Sequence, residues 1–579
     1  MNYQERFEAW LRDPYFDEET RRELEAIKDN EKEKEDRFYK DLEFGTAGLR
    51  GIIGAGTNRM NIYVIRKTTQ GLADYITSVG EDAKKRGVVI AYDSRYKSRE
   101  FALEAALVLA GNGIRVYLFD ELRPVPELSF SVRELGTVSG IVITASHNPA
   151  QYNGYKVYWE DGGQLPPERA NAVLQRINAI QGFHQVKRLS LEEAREKGFL
   201  KMIGREMDDR YLSRVKTLSI HPEIMKDAGD ALQLVYTPLH GTGYRLVPRV
   251  LREMGLENVH IVKEQEEPDP MFSTVSSPNP EEPEAFAMAI QLAEEKGADV
   301  IIGTDPDCDR VGVVVRDEKG QFRVLSGNQT GCLLLHYILS QKKKRGTPPA
   351  KGVVVKTIVT TELGRAIAQS FGVDILDVLT GFKFIAEKIK EFEETGEKEF
   401  IFGFEESSGY LAGDFVRDKD GVITSMLVAE MAAYYKTRGT GLCEALRKIY
   451  DEYGYYREKL LSVVLKGKEG LEKIHQAMES LREDCPAAFG GVKVLAVRDY
   501  QKGTRYDRRS EKNEALSLPK SDVLYFELEN HSWICIRPSG TEPKIKIYLA
   551  VSAADSGEAK KALDNLERSM METVGGLLN

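Results

Sequence analysis

Asp305, Asp307 and Asp309 alternate through a short turn, a spacing that gathers three carboxylates and costs stability unless a cation lies among them. Oxygen-only ligands select a hard ion, Mg²⁺ first. A calcium loop of the EF-hand type is excluded, because its Gly and Glu positions are occupied by Arg310 and Arg316. The alternative is a solvated acidic turn. Arg310, directly after the carboxylates, suits a phosphate oxygen beside such a metal. Ser146 stands in Thr144-Ala145-Ser146-His147-Asn148-Pro149. A serine hydroxyl is a weak nucleophile and needs a base or a metal-activated electrophile; alone, the segment reads equally as a hydrogen-bonded turn stopped by Asn-Pro. Lys156, ten residues on, is near enough in sequence to return to the same place as acid, base or phosphate ligand.

Two further turns carry sugar and phosphate chemistry. Glu405, Glu406, Ser407 and Ser408 crowd acceptors and hydroxyls before Gly409, a set that suits vicinal sugar hydroxyls, or else caps a helix. Arg537-Pro538-Ser539-Gly540-Thr541 joins a guanidinium, two hydroxyls and a glycine-exposed backbone, as a phosphate cradle requires, though Pro and Gly also make an ordinary turn. No Gly-Lys-Ser/Thr occurs anywhere, which argues against a P-loop kinase.

The elements that must position these turns are short β-branched runs alternating with amphipathic stretches, the pattern of parallel βαβ units and an α/β class. Gly140–Ile143 feeds the serine turn, Ala298–Gly303 the aspartate turn and Glu399–Gly403 the glutamate turn. Each has an opening strand upstream, at Val88–Tyr92, Leu232–Tyr236 and Val353–Lys356. We read three related α/β domains whose loops, at the carboxyl ends of strands, face one crevice. From about Tyr456 the pattern becomes α+β: strands at 460–465, 492–497, 523–529, 532–537 and 544–551, a helix at 469–481 and a C-terminal helix. Gln341–Pro349 is expected to be an exposed loop.

Composition narrows the partners. The 579 residues carry 81 basic against 91 acidic side chains, a net charge of −10 that offers no general attraction to nucleic acid or anionic lipid. Positive charge must then be concentrated locally to hold an anionic substrate. Five separated cysteines without a C-x-x-C pair fit a reducing cytoplasm. Neither a secretory leader nor a run of membrane-spanning length is expected from the sequence.

Together the four segments resemble the α-D-phosphohexomutase superfamily, in that family's order of phosphoserine, metal, sugar and phosphate loops, from about Asp41 onward. The resemblance implies three related α/β/α domains plus a smaller C-terminal α+β domain around a central cleft. The expected division is a helical extension at 1–40, domain I at 41–205, domain II at 206–322, domain III at 323–450 and domain IV at 451–579. Carried over by position, Ser146 looks like the phosphorylated residue, with Asp305, Asp307, Asp309 and the phosphate of Ser146 around one Mg²⁺. Glu405 and Ser407 resemble sugar contacts, and Arg537, Ser539, Gly540 and Thr541 the cradle for the phosphate that is not transferred. Lys156 and His147 match positions near proton transfer, and Arg50 an arginine facing the cleft.

Thr380-Gly381-Phe382-Lys383 and Arg417-Asp418-Lys419-Asp420-Gly421 look like the glucomutase and pentomutase branches, which implies Thr380, Gly381, Lys383 and Lys419 as substrate contacts. Tyr410 stands where the mannose branch tends to have histidine. Gly54–Asn61 is especially similar to long bacterial α-phosphoglucomutases. The resemblance therefore implies interconversion of α-D-glucose 1-phosphate and D-glucose 6-phosphate through phospho-Ser146 and glucose 1,6-bisphosphate, which also serves as activator, in a cytoplasmic monomer or homodimer. Pentose or mannose phosphates, a metal-dependent phosphatase and a non-catalytic sugar-phosphate binder are the competing readings. Lys156, His147 and Lys419 are all open as the proton-transfer group.

Overall fold

A computed structural model describes residues 2–45, 48–228, 231–465, 467–539 and 544–578. The chain divides into two compact units, Met1–Thr330 with Ile385–Leu442, and Gly331–Phe384 with Cys443–Asn579. The boundary passes through the stretch expected as domain III.

In the first unit, helices Tyr3–Arg12, Glu18–Ala26 and Glu31–Phe38 gather an aromatic cluster including Trp10, Phe16 and Phe38, which packs on Tyr63 and Phe183. A six-stranded sheet follows, in the order Leu49–Ile52, Tyr152–Trp159, Ser139–Ile143, Val88–Tyr92, Val116–Phe119, Leu200–Ile203. Val88–Tyr92 and Ser139–Ile143 are buried at every residue, which explains their continuous apolar sequences. Ile62–Val79 begins where Asn61 Oδ1 accepts from Val64 N at 3.0 Å, and it joins Ser98–Gly111 in the core around this sheet.

A five-stranded sheet runs Phe322–Val324, Val311–Arg316, Val300–Thr304, Leu234–Thr237, Val259–Ile261. Parallel pairing holds at Leu234–Thr237 with Val300–Thr304 and at Val88–Tyr92 with Ser139–Ile143. The expectation of parallel units is corrected beyond that: Tyr152–Trp159 and Val311–Arg316 run antiparallel to the strands before them. Their short connecting turns allow only a hairpin, since a parallel return needs a long crossover. The hairpin Glu399–Glu405 with Gly409–Ala412 completes this unit's strands, followed by the buried helix Gly421–Lys436.

In the second unit, Gly352–Thr357 pairs in parallel with Asp374–Val378. An antiparallel sheet then runs Tyr455–Val464, Lys544–Ala553, Trp533–Pro538, Leu524–Leu528, Val492–Asp499, Thr504–Asp507, Lys512–Ala515. Helices Gly467–Glu483 and Ser556–Leu578 share a core with it. The last two strands, a polar hairpin, lack the apolar runs by which the others were read. Gln341–Lys344 is also corrected: helix Gly327–Lys344 continues through it, with Gln341 buried and the lysines closing the last turn, where positive charge suits the helix dipole. Among the described residues no helix is long and apolar enough to cross a membrane.

Candidate active site

Three turns meet within the first unit, and each contains one non-glycine residue with left-handed backbone: Ser146 at φ 53°, Cys308 at φ 55° and Ser408 at φ 58°. Such residues cost roughly 1–2 kcal/mol each, so the surrounding contacts must hold them. Those contacts are visible. Val311 N donates to Ser408 O at 3.0 Å, Gly421 N to Cys308 O at 3.0 Å and Val125 N to Asp307 O at 3.0 Å. A β-carbon at Gly421 would lie 2.6 Å from Cys308 O, so only glycine lets the two segments approach.

Ser146 follows the buried strand Ser139–Ile143, and its N–H donates to Thr144 Oγ1 at 2.8 Å. Its Oγ donates to Asp305 Oδ2 at 2.8 Å and lies 3.2 Å from His147 Nδ1. Lys156 is carried back to the site by the antiparallel strand Tyr152–Trp159, with Nζ 2.9 Å from Asp307 Oδ2 and 3.9 Å from Asp309 Oδ2. Lys419 Nζ lies 3.1 Å from Asp309 Oδ2 and 3.2 Å from Asp418 Oδ1. Arg50 reaches the serine turn by donating to Asn148 Oδ1 at 3.1 Å. Arg310 follows the aspartate turn, with its guanidinium paired to Glu281 and Nε 4.0 Å from Asp309 Oδ1.

The three aspartates are buried and offer ligand oxygens within 4.8 Å of one another. Burial and the carboxylates of Asp307 and Asp309 push the Asp305 carboxyl well above its ordinary range. Burial and Asp307 raise Asp309 as well, against Lys419 and Lys156. Asp307 ends below the ordinary range despite burial, because Lys156 stabilises its charge. Asp307 Oδ1 and Asp309 Oδ1 are buried and accept no hydrogen bond. Packed like charges with orphaned oxygens are what a divalent cation would relieve, and the donor set fits a hard one. These residues can hold a metal.

Glu405 ends its strand, and Ser407 and Ser408 form the hairpin turn, so a helix cap is not what this segment makes. Burial pushes the Glu405 carboxyl up to about 7, with Lys419 opposing. His147 is driven well below its ordinary value by burial and by Arg310 and Arg50, so its imidazole is neutral near pH 7.

Thr380, Gly381 and Lys383 belong to the second unit, where Lys383 Nζ lies 4.9 Å from the Phe384 ring centre. Arg537 lies near the end of the strand Trp533–Pro538, and Ser539 N donates to Lys544 O at 2.7 Å. Gly540 and Thr541 lie outside the described residues. Sequence reasoning missed Thr144, whose Oγ1 lies 3.2 Å from Asp307 Oδ2, and Asp418, which accepts from Tyr158 Oη at 2.7 Å. Both sit inside quoted motifs. It also missed Asp93 and Arg95, which follow the strand Val88–Tyr92 and could have been found by asking what the first opening strand delivers.

Three family models match successive stretches: phosphoglucomutase/phosphomannomutase alpha/beta/alpha domain I at residues 41–182, domain II at 209–320 and domain III at 326–453. The phosphoglucomutase of Staphylococcus haemolyticus is 40% identical over 92% of this chain and 94% of its own. That of a Staphylococcus aureus strain is 37% identical over 92% and 93%. In fold, a putative phosphomannomutase from Thermus thermophilus gives a TM-score of 0.67 at 24% identity, covering 92% of this chain and 99% of the other. Parafusin, a phosphoglucomutase from Paramecium, gives 0.69 at 16% identity, covering 93% and 95%. The chain thus belongs to the phosphoglucomutase/phosphomannomutase family of the α-D-phosphohexomutase superfamily, close to the bacterial phosphoglucomutases.

Proposed function

We propose that the chain interconverts α-D-glucose 1-phosphate and D-glucose 6-phosphate, with phospho-Ser146 as donor and glucose 1,6-bisphosphate as intermediate and activator. The observation that carries this reading is Ser146 Oγ held 2.8 Å from one member of a buried aspartate triad, in a chain 40% identical to a phosphoglucomutase over most of both lengths. Asp305, Asp307 and Asp309 would hold Mg²⁺, which supplies charge neutralisation for the phosphoryl oxygens. The chain's own groups do the rest. Lys156 and Lys419 set positive charge against the triad and the incoming phosphate. His147, neutral and beside Ser146 Oγ, exchanges the proton as that oxygen gains or loses phosphate. Glu405 and Ser407 grip sugar hydroxyls in either orientation of the bisphosphate. Arg537, Ser539, Gly540 and Thr541 bind the other phosphate, Thr380, Gly381 and Lys383 complete the substrate contacts, and Arg50 steadies the serine turn through Asn148. Five cysteines without a disulfide support a cytoplasmic setting.

The test is a panel of glucose, mannose and pentose 1-phosphates with Mg²⁺ and trace bisphosphate, following both isomerised sugar phosphate and inorganic phosphate. Glucose 6-phosphate should dominate. Release of phosphate without isomer would make the chain a phosphatase, and no turnover on any sugar would overturn the reading.

A further inference from the structure

The turn that carries Ser146 is gathered around one side chain that no motif drew attention to. Arg95 is fully buried. One terminal nitrogen, Nη2, donates to the carbonyls of Ser146 and Asn148; the other, Nη1, donates to Pro149 O at 2.8 Å and Tyr152 O at 3.1 Å. A single guanidinium thus ties together the start and the end of the loop joining Ser139–Ile143 to Tyr152–Trp159. Its remaining nitrogen, Nε, lies 3.3 Å from Asp93 Oδ2. Asp93 is itself fixed, since its Oδ1 accepts from Arg95 N at 2.9 Å and from Ser98 Oγ at 2.6 Å. The Phe272 ring lies 4.9 Å from the guanidinium carbon.

The burden on this clamp is the left-handed backbone of Ser146, at φ 53°, whose carbonyl Arg95 Nη2 holds. That backbone sets Oγ beside Asp305 and His147. We infer that Arg95 is a positioning residue for phosphoryl transfer: it holds the Ser146 backbone strained so that Oγ faces the aspartate triad, and Asp93 orients it. This rests on the function proposed above. Lysine cannot substitute, because its donors radiate from one atom and cannot reach both ends of the loop in the planar fork that arginine presents.

The experiment compares Arg95→Lys, Arg95→Met and Asp93→Asn with wild type and with Arg66→Met, which removes a different ion-paired arginine of the same domain. Steady-state kinetics with glucose 1-phosphate and the rate at which glucose 1,6-bisphosphate phosphorylates Ser146, read by mass spectrometry, are measured together, each normalised to folded fraction from thermal unfolding. Both Arg95 variants should lose about 100-fold in kcat and in Ser146 phosphorylation rate, with KM within threefold, because a misplaced nucleophile costs about that much. Asp93→Asn should lose about tenfold, and guanidinium ion should restore part of the Arg95→Met rate. A kcat within threefold of wild type for Arg95→Lys, a loss matched by Arg66→Met, or a loss residing in KM would overturn the inference. Should Arg95→Met not fold, Arg95→Lys and Asp93→Asn decide by the same criteria. Absence of isomerisation by wild type itself would instead overturn the proposed function.

Discussion

Two lysine and carboxylate clusters, one buried in the first compact unit and one half-buried in the second, use the same residue types to opposite ends. In the second unit Lys356 lies near the end of the strand Gly352–Thr357, with Nζ 2.8 Å from Glu362, 3.1 Å from Asp377 and 3.1 Å from Thr360 O. Arg365 closes the ring with 2.6 Å contacts to Glu362 and Asp377. Two cations face two carboxylates. In the first unit Lys156 and Lys419 pair with Asp307, Asp309 and Asp418, and Asp305 joins the same buried group of carboxylates, so acids outnumber the lysines. Balanced charge makes a brace, whereas an excess of one sign makes a site that a cation completes.

Breaking the unbalanced cluster should cost most. Ser146→Ala should lose about 10⁴-fold or more in isomerisation while keeping its thermal midpoint, because it removes the hydroxyl held 2.8 Å from Asp305 Oδ2; a variant retaining a tenth of wild-type rate would sink the phosphoserine role. Asp309→Asn should lose about 10²–10³-fold in kcat. The same variant should abolish the rise in thermal midpoint that saturating Mg²⁺ gives wild type, a rise worth about 2.7 kcal/mol at a hundred times the dissociation constant. An undiminished rise would place the metal elsewhere.

The balanced cluster should answer in stability alone. Burial opposes ionisation of Glu362, but Lys356 and Arg365 overcome it and hold the carboxyl down to about 2. A lowered native pKa stabilises above the unfolded value, so this contribution is complete above about pH 5 and is lost as pH falls toward 2. Glu362→Gln should therefore cost about 2–3 kcal/mol at pH 7 and nearly nothing at pH 2, by denaturant unfolding of both proteins. Equal costs at the two pH values would remove the ion pairing as cause. Smallest is Arg537→Ala, which should raise KM for glucose 1-phosphate about tenfold with kcat within threefold, since a charge-assisted phosphate contact is worth about 1.5–3 kcal/mol. A loss confined to kcat would take Arg537 out of the substrate-binding cradle.

Legibility followed how local each signal was. Fully buried strands such as Ser139–Ile143 announce themselves as apolar runs, and the turns they feed hold the chemistry at close spacing. The polar hairpin Thr504–Asp507 with Lys512–Ala515 carries no such run, because it extends the sheet edge with little to bury. Gln341–Lys344 misled for the converse reason: a basic stretch before Gly346 and the prolines reads as loop, yet lysines in a last helical turn face water at no cost.

The sequence by itself determined which residues could act, because a serine turn, an alternating aspartate turn, a glutamate turn and an arginine turn each declare their chemistry over a few residues. Which of them act together was decided only by tertiary structure. The antiparallel strand Tyr152–Trp159 returns Lys156 beside Asp307, and the turn before helix Gly421–Lys436 sets Lys419 between Asp309 and Asp418. Arg310 is drawn to Glu281, and Arg95 reaches the serine turn from the loop after another strand. Such pairings depend on distances across the fold, which spacing along the chain does not encode.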